Sequence, residues 1–143
     1  MNAWHKPISL AIVGAEKAGT TALYRHLAQS PLLESHTQAE MTSFVNNDTW
    51  TQGEAVARQK YFPHATDDKV VRKDVMLMSF EAGGRRRKVS SPDVKVIAML
   101  REPVARAWSA FHYARSRGVE SAVDFDGALK LEAKRLSESK WQH

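Results

Sequence analysis

The 143 residues, 43% hydrophobic and 26% charged, suffice for one domain with a buried core and are too few for two ordinary ones. With no cysteine, a disulfide framework, a cysteine-based zinc site and a thiol nucleophile are excluded, which suits a reducing compartment, so a cytoplasmic location is expected. A net charge of +5 favours anionic partners without choosing among them, and no apolar run approaches the length of a membrane span, so the chain is expected to be soluble.

The first element is Ile8 to Val13, short, apolar and stopped by Gly14, the pattern of a strand buried on both faces. From Thr20 to about Gln29, Leu23 and Leu27 fall on one helical face, with Ala22 and Tyr24 beside them and Pro31 closing the segment. Strand, glycine turn and helix in succession open a βαβ unit, which implies an α/β fold with a parallel sheet. Residues 34–53, punctuated by Asn46, Asn47, Asp48 and Gly53, read mainly as loop. A helix is expected from Glu54 to Phe62, a short strand from Lys69 to Arg72, and a helix from Ser79 to Lys88. VKVIAML, Val94 to Leu100, repeats the buried-strand pattern. Pro103 suits a first helical turn, and Val104, Ala107, Trp108 and Phe111 form an apolar stripe in a helix ending near Gly118. A last helix is expected over Val123 to Leu136, with Phe125, Leu129, Ala133 and Leu136 on one face.

The turn after the first strand carries the chemistry. It reads G-x-x-K-x-G-T-T from Gly14 to Thr21. A turn that leaves a buried strand and enters a helix points backbone N–H groups outward, where the helix dipole is positive, so an anion is favoured there. Gly14 and Gly19 permit close approach, Lys17 supplies a charge, and Thr20 and Thr21 add hydroxyls. A nucleotide-triphosphate loop would read GxxxxGK[ST], whereas here the lysine lies inside the turn, beside the phosphate and the group being transferred. The bland alternative is a solvated loop lysine between two turn glycines.

GAEKAGTTALYRHL at 14–27 resembles the 5′-phosphosulfate-binding loop of sulfotransferases that use 3′-phosphoadenosine 5′-phosphosulfate (PAPS). VIAMLREPVARAWSAFHYARSRG at 96–118 resembles their 3′-phosphate-binding strand and helix. The resemblance implies a three-layer α/β/α, P-loop NTPase-like fold around a parallel sheet. It covers residues 1–143 as the N-terminal portion of the family's nucleotide-binding domain, so an incomplete domain is expected. By the same resemblance, Lys17 stabilises the bridging oxygen and the sulfuryl oxygens. The backbone of Ala18, Gly19, Thr20 and Thr21 and the threonine hydroxyls hold the 5′-phosphate, while Arg101 and Ser109 read the 3′-phosphate. AEMTSF at 39–44 resembles the segment that carries a glutamate and aromatic residues in heparan-sulfate-type and bacterial members, which points to Glu40 as catalytic base, with Phe44 as the aromatic. His36 is the rival base, although a lone histidine in a polar loop is ordinarily exposed. VVRKDVM at 70–76 resembles the strand end whose lysine faces the acceptor, which points to Lys73.

The implied reaction is sulfuryl transfer from PAPS to a hydroxyl or amine on a small-molecule or carbohydrate acceptor, releasing 3′,5′-adenosine bisphosphate. No metal is expected, because the histidines show no HxxxH or HExxH spacing and the chemistry needs none. A P-loop kinase or NTPase, or a non-catalytic nucleotide-binding fragment, are the alternatives. The basic run Arg85 to Lys88 could attract a polyanion but reads more simply as a solvated helix face, with no nucleic acid implied, and Trp108 reads as core. Nothing in the pattern selects an oligomeric state.

Overall fold

The computed structural model describes residues 8–36, 40–42, 46–63, 70–73, 83–86 and 92–138. The chain forms two compact units, Met1–Leu100 and Arg101–His143. The first contains β1 (Ile8–Ile12), α1 (Thr20–Leu27), β2 (Glu34–Ser35), α2 (Asn47–Thr51), α3 (Glu54–Tyr61), β3 (Val70–Lys73) and β4 (Lys95–Ile97). The second contains α4 (Pro103–Ser116) and α5 (Phe125–Glu138).

The four strands form one sheet in the order β2-β3-β1-β4, and every pairing is parallel. Successive side chains of a strand point to opposite faces, and β1 uses both. Ala11 and Val13 enter a cluster with Met41, Ala57, Tyr61 and Phe62, against which Trp50 packs. Ile12 turns the other way and meets Tyr24, with Leu10, Leu23, Leu27 and Leu33 alongside. One face of the sheet is therefore covered by α1 and the other by residues of α2 and α3, which gives the three layers expected. The deepest side chains, Ile12, Met41 and Tyr61, centre on β1. Burial of each is worth about 1.5–3 kcal/mol.

Two local readings change. The segment 34–53, read mainly as loop, also holds β2 and α2 among its described residues. Asn46, one of the apparent loop punctuators, is the N-cap of α2: its Oδ1 accepts from Thr49 N–H at 2.8 Å. The stretch 94–100 is not buried on both faces, because β4 ends the sheet order, leaving Val96 47% and Leu100 75% exposed. The helix expected over 79–88 is described only at residues 83–86, which are helical; the remainder lies outside the described residues.

In the second unit, α4 is capped by Glu102 and carries proline at its start, as the sequence implies. The groove against α5 is lined from α4 by Arg106, Ala107, Ala110, Phe111 and Ala114. At 100° per residue Val104 lies at the edge of that face, next to Phe111, and Trp108 roughly 130° from its middle. Trp108 is accordingly 51% exposed rather than core, with Phe125 edge-on at 5.2 Å, and Val104 is 66% exposed. On α5, Leu129 and Leu136 of the expected apolar face are also exposed. The hairpin is instead fastened by a bidentate pair, Arg135 Nη1 and Nη2 each donating to a Glu120 carboxylate oxygen at 2.7 Å.

Candidate functional site

The register of the sheet aligns the carboxyl ends of three strands. Ile12 pairs with Lys73 of β3 on one side and Ile97 of β4 on the other. On the far side of β3, Ser35 of β2 pairs with Val71. The segments that leave these ends carry the residues expected to act: Lys17 after β1, His36 and Glu40 after β2, and Lys73 at the tip of β3. In open parallel α/β sheets this edge is where ligands bind, above all where connections from adjacent strands leave in opposite directions. Here the chain runs from β1 to β2 and β3 on one side and then crosses to β4 on the other.

The turn from Val13 to Gly19 is held against the β4 side. Val13 N–H donates to the Ile97 carbonyl at 3.0 Å, Met99 N–H to the Gly14 carbonyl at 2.7 Å, and Ala15 N–H to the Met99 carbonyl at 2.6 Å. Three residues lie at positive φ: Gly14 at 76°, Lys17 at 63° and Gly19 at 95°. Glycine suits the first and third positions, but a lysine in the left-handed region is strained by roughly 1–2 kcal/mol, the kind of cost that proteins retain at functional sites. Gly19 is the N-cap of α1 and provides no side chain to it, and the first turn contains no acidic residue. The start of α1 thus carries a positive dipole with no side-chain cap from Gly19, and half-buried Lys17 lies two residues before the cap. Thr20 is buried and Thr21 exposed at the first two helical positions. This donor set fits a phosphate or sulfate group.

The segment bearing Glu40 is anchored at both ends. The Tyr24 hydroxyl, from α1, donates to the His36 carbonyl at 2.9 Å. Tyr61, from α3, accepts from Thr42 N–H at 3.3 Å and shares a 3.1 Å hydrogen bond with its hydroxyl. Between these anchors Glu40 is half-buried beside the fully buried Met41. Burial pushes the Tyr24 phenol up to about 12, against its hydrogen bonds with Ser35 and with the His36 carbonyl, and the nearby charge of Glu40 adds to the rise. His36 is not an exposed loop histidine. Only 4% exposed, its ring stacks on Tyr24 at 4.7 Å and meets the edges of Tyr61 at 6.2 Å and Phe62 at 6.1 Å, a packing position at the floor of the segment. Phe44 lies outside the described residues.

In the second unit, Arg101 immediately precedes the α4 N-cap and Ser109 lies within the helix, half-buried. Glu102, which sequence reasoning did not single out, places one carboxylate oxygen 2.9 Å from Val104 N and the other 2.7 Å from Ala105 N, each amide donating. The signal for it was available: an acidic residue directly before a proline that starts a helix. Arg86 of the basic run lies over the Trp50 ring at 5.3 Å, and its Nη2 donates to Asn47 Oδ1 at 2.6 Å, so it belongs to the local structure of α2. No metal-binding group of three or more His, Cys, Asp or Glu occurs among the described residues. No described helix is long and apolar enough to cross a membrane.

The chain is similar to the human bifunctional heparan sulfate N-deacetylase/N-sulfotransferase 1, 31% identical over 123 residues, covering 81% of this chain and 14% of that protein. The human homologue numbered 3 is 28% identical over 121 residues, covering 80% and 14%. The chain thus spans about one seventh of the length of these curated relatives. Among solved structures, a sulfotransferase from Alicyclobacillus acidocaldarius superposes with a TM-score of 0.76 at 24% identity, over 92% of this chain and 59% of that one, a likeness in fold. The Sulfotransferase domain family matches residues 7–142, from the start of β1 past the end of α5. With that match across nearly the whole chain, the chain belongs to the sulfotransferase domain family.

Proposed function

We propose that residues 1–143 form one nucleotide-binding domain that takes PAPS and supports sulfuryl transfer to a hydroxyl or amine acceptor. The observation that carries this is the G-x-x-K-x-G turn opening an uncapped helix at the carboxyl edge of a parallel sheet. PAPS supplies an activated sulfuryl group whose departure leaves negative charge on a phosphate oxygen. Lys17 neutralises that charge at the bridging oxygen, while the amides of residues 18–21 and the hydroxyls of Thr20 and Thr21 hold the 5′-phosphate. Arg101 offers a forked pair of donors to the 3′-phosphate, and Ser109 adds a hydroxyl. Glu40 accepts the acceptor's proton as the new S–O or S–N bond forms. Lys73 orients the acceptor, and His36 serves from beneath by packing the Glu40 segment.

The names of the relatives make a saccharide amine of the heparan sulfate type the first acceptor to try, ahead of other carbohydrates and small molecules. The lack of cysteine supports a reducing compartment, and the chain is assigned to the cytoplasm on that ground.

The test is transfer of labelled sulfuryl from PAPS to saccharides bearing free amines or only hydroxyls, comparing the chain with Lys17→Ala. Removing a charged donor at such a position costs roughly 2.7–4 kcal/mol of barrier, so the variant should retain below about 1% of the turnover. Equal turnover would remove Lys17 from the chemistry. Bisphosphate binding without transfer to any acceptor would instead favour a non-catalytic nucleotide-binding role.

A further inference from the structure

The two helices whose starts carry the residues assigned to phosphates, α1 and α4, begin differently. The N-terminus of α1 is left to an anion: a glycine cap, no capping side chain, no acid in the first turn. The N-terminus of α4 is already occupied, because both carboxylate oxygens of Glu102 take the amides of Val104 and Ala105 at 2.9 and 2.7 Å. A second phosphate therefore finds no open amides at that helix start.

We infer that Glu102 is a positioning residue for 3′-phosphate recognition: its carboxylate plugs the start of α4 and holds the turn that carries Arg101, so that the guanidinium rather than the helix amides reads the phosphate. The geometry supports this in two ways. Glu102 is joined to Arg101 by one peptide bond, so fixing the Glu102 side chain on the first turn of α4 fixes the direction in which the chain presents its neighbour. The carboxylate also lies near enough to Arg101 to feel its charge. The carboxyl is held below the usual carboxylate range by the Ala105 amide first, then the Val104 amide, against desolvation, with the Arg101 charge adding the smallest lowering. Sequence pattern agrees, since Pro103 at the first helical position contributes no N–H and leaves these two amides as the donors that Glu102 can satisfy.

The inference rests on the proposed roles of Arg101 and Ser109, and the experiment separates the two claims. Binding of 3′,5′-adenosine bisphosphate and of adenosine 5′-monophosphate, which lacks the 3′-phosphate, is measured by titration calorimetry, with a thermal melt for each variant. The unsubstituted chain should prefer the bisphosphate. In Glu102→Ala that preference should fall about tenfold, the worth of roughly one charge-assisted hydrogen bond, while monophosphate affinity stays within about twofold. Glu102→Asp, whose shorter carboxylate also reaches the amides two and three residues on, should restore it. Glu102→Gln, which keeps one acceptor oxygen, should fall in between and serves if the alanine variant folds poorly. An unchanged or raised preference in folded Glu102→Ala or Glu102→Gln, with only the melting temperature lowered, overturns the role of Glu102 alone. An unsubstituted chain with no preference for the bisphosphate overturns both claims.

Discussion

Replacing Lys17 by alanine and, separately, by glycine separates the charge this residue brings from the backbone conformation it tolerates. Both variants lose the ammonium group and any contact it makes, and they differ only in a Cβ at a position with φ of 63°. An L-residue held in the left-handed region costs roughly 1–2 kcal/mol, whereas glycine there is unstrained but loses roughly 0.5–1 kcal/mol of extra chain entropy on folding. The difference favours glycine by about 0.5–1 kcal/mol, which for a chain of this size raises the melting temperature by about 2 °C over the alanine variant. Turnover should fall below about 1% in both, since neither can neutralise charge at the leaving oxygen. The assay is a pair of melts with single-turnover transfer measured on the same preparations. A glycine variant no more stable than alanine would refute the strain argument. A glycine variant that turns over normally would refute the role of the lysine.

Two further outcomes follow from ionisable groups. Arg135 holds the Glu120 carboxyl down from 4.5 to about 2, chiefly through the bidentate hydrogen bond, so the stabilisation is fully present above about pH 4.5 and is lost as pH falls towards 2. With Glu120 only 7% and Arg135 24% exposed, this amounts to about 2 kcal/mol after allowance for solvent, and Glu120→Gln should flatten the acid limb of a melt-versus-pH series. The buried Tyr24 phenol, raised from 10 to about 12, gives the opposite sign: its contribution is intact below pH 10 and declines as pH rises from 10 to 12. Ultraviolet titration compared with that of Tyr24→Phe should show the variant losing a late-ionising component, and the variant should cost about 1 kcal/mol for the bond to the His36 carbonyl.

The sheet and its flanking helices were legible because their signals are local. Apolar Ile8 to Val13 stopped by Gly14, and Pro103 ahead of a helical stripe, announce an element and its boundary together, and β1 and α4 fall where these signals put them. The two-residue β2, Glu34–Ser35, has no pattern of its own; it is a strand because Val70 and Val71 lie alongside it. The α2 helix hid behind Asn46, since asparagine caps helices for the same reason that it marks turns, a side-chain oxygen that satisfies a nearby amide. Trp108 and His36 were misjudged in opposite directions, because exposure depends on where neighbouring elements pack. Trp108 stands at the rim of the α4 face that meets α5, with Phe125 edge-on to it and its other side exposed, while Tyr24 from one segment and the neighbours Tyr61 and Phe62 from another close around His36. The lysine and glycines of the phosphate turn were readable from spacing, but the uncapped start of α1 and the plugged start of α4 needed coordinates.

The most direct measurement is calorimetric titration of the chain with 3′,5′-adenosine bisphosphate in a chelator, set against ATP with magnesium. Metal-independent binding of the bisphosphate, stronger than that of ATP–magnesium and weakened at least tenfold in Arg101→Ala, is the result predicted. Tighter binding of ATP–magnesium, or bisphosphate binding indifferent to Arg101, would contradict the account.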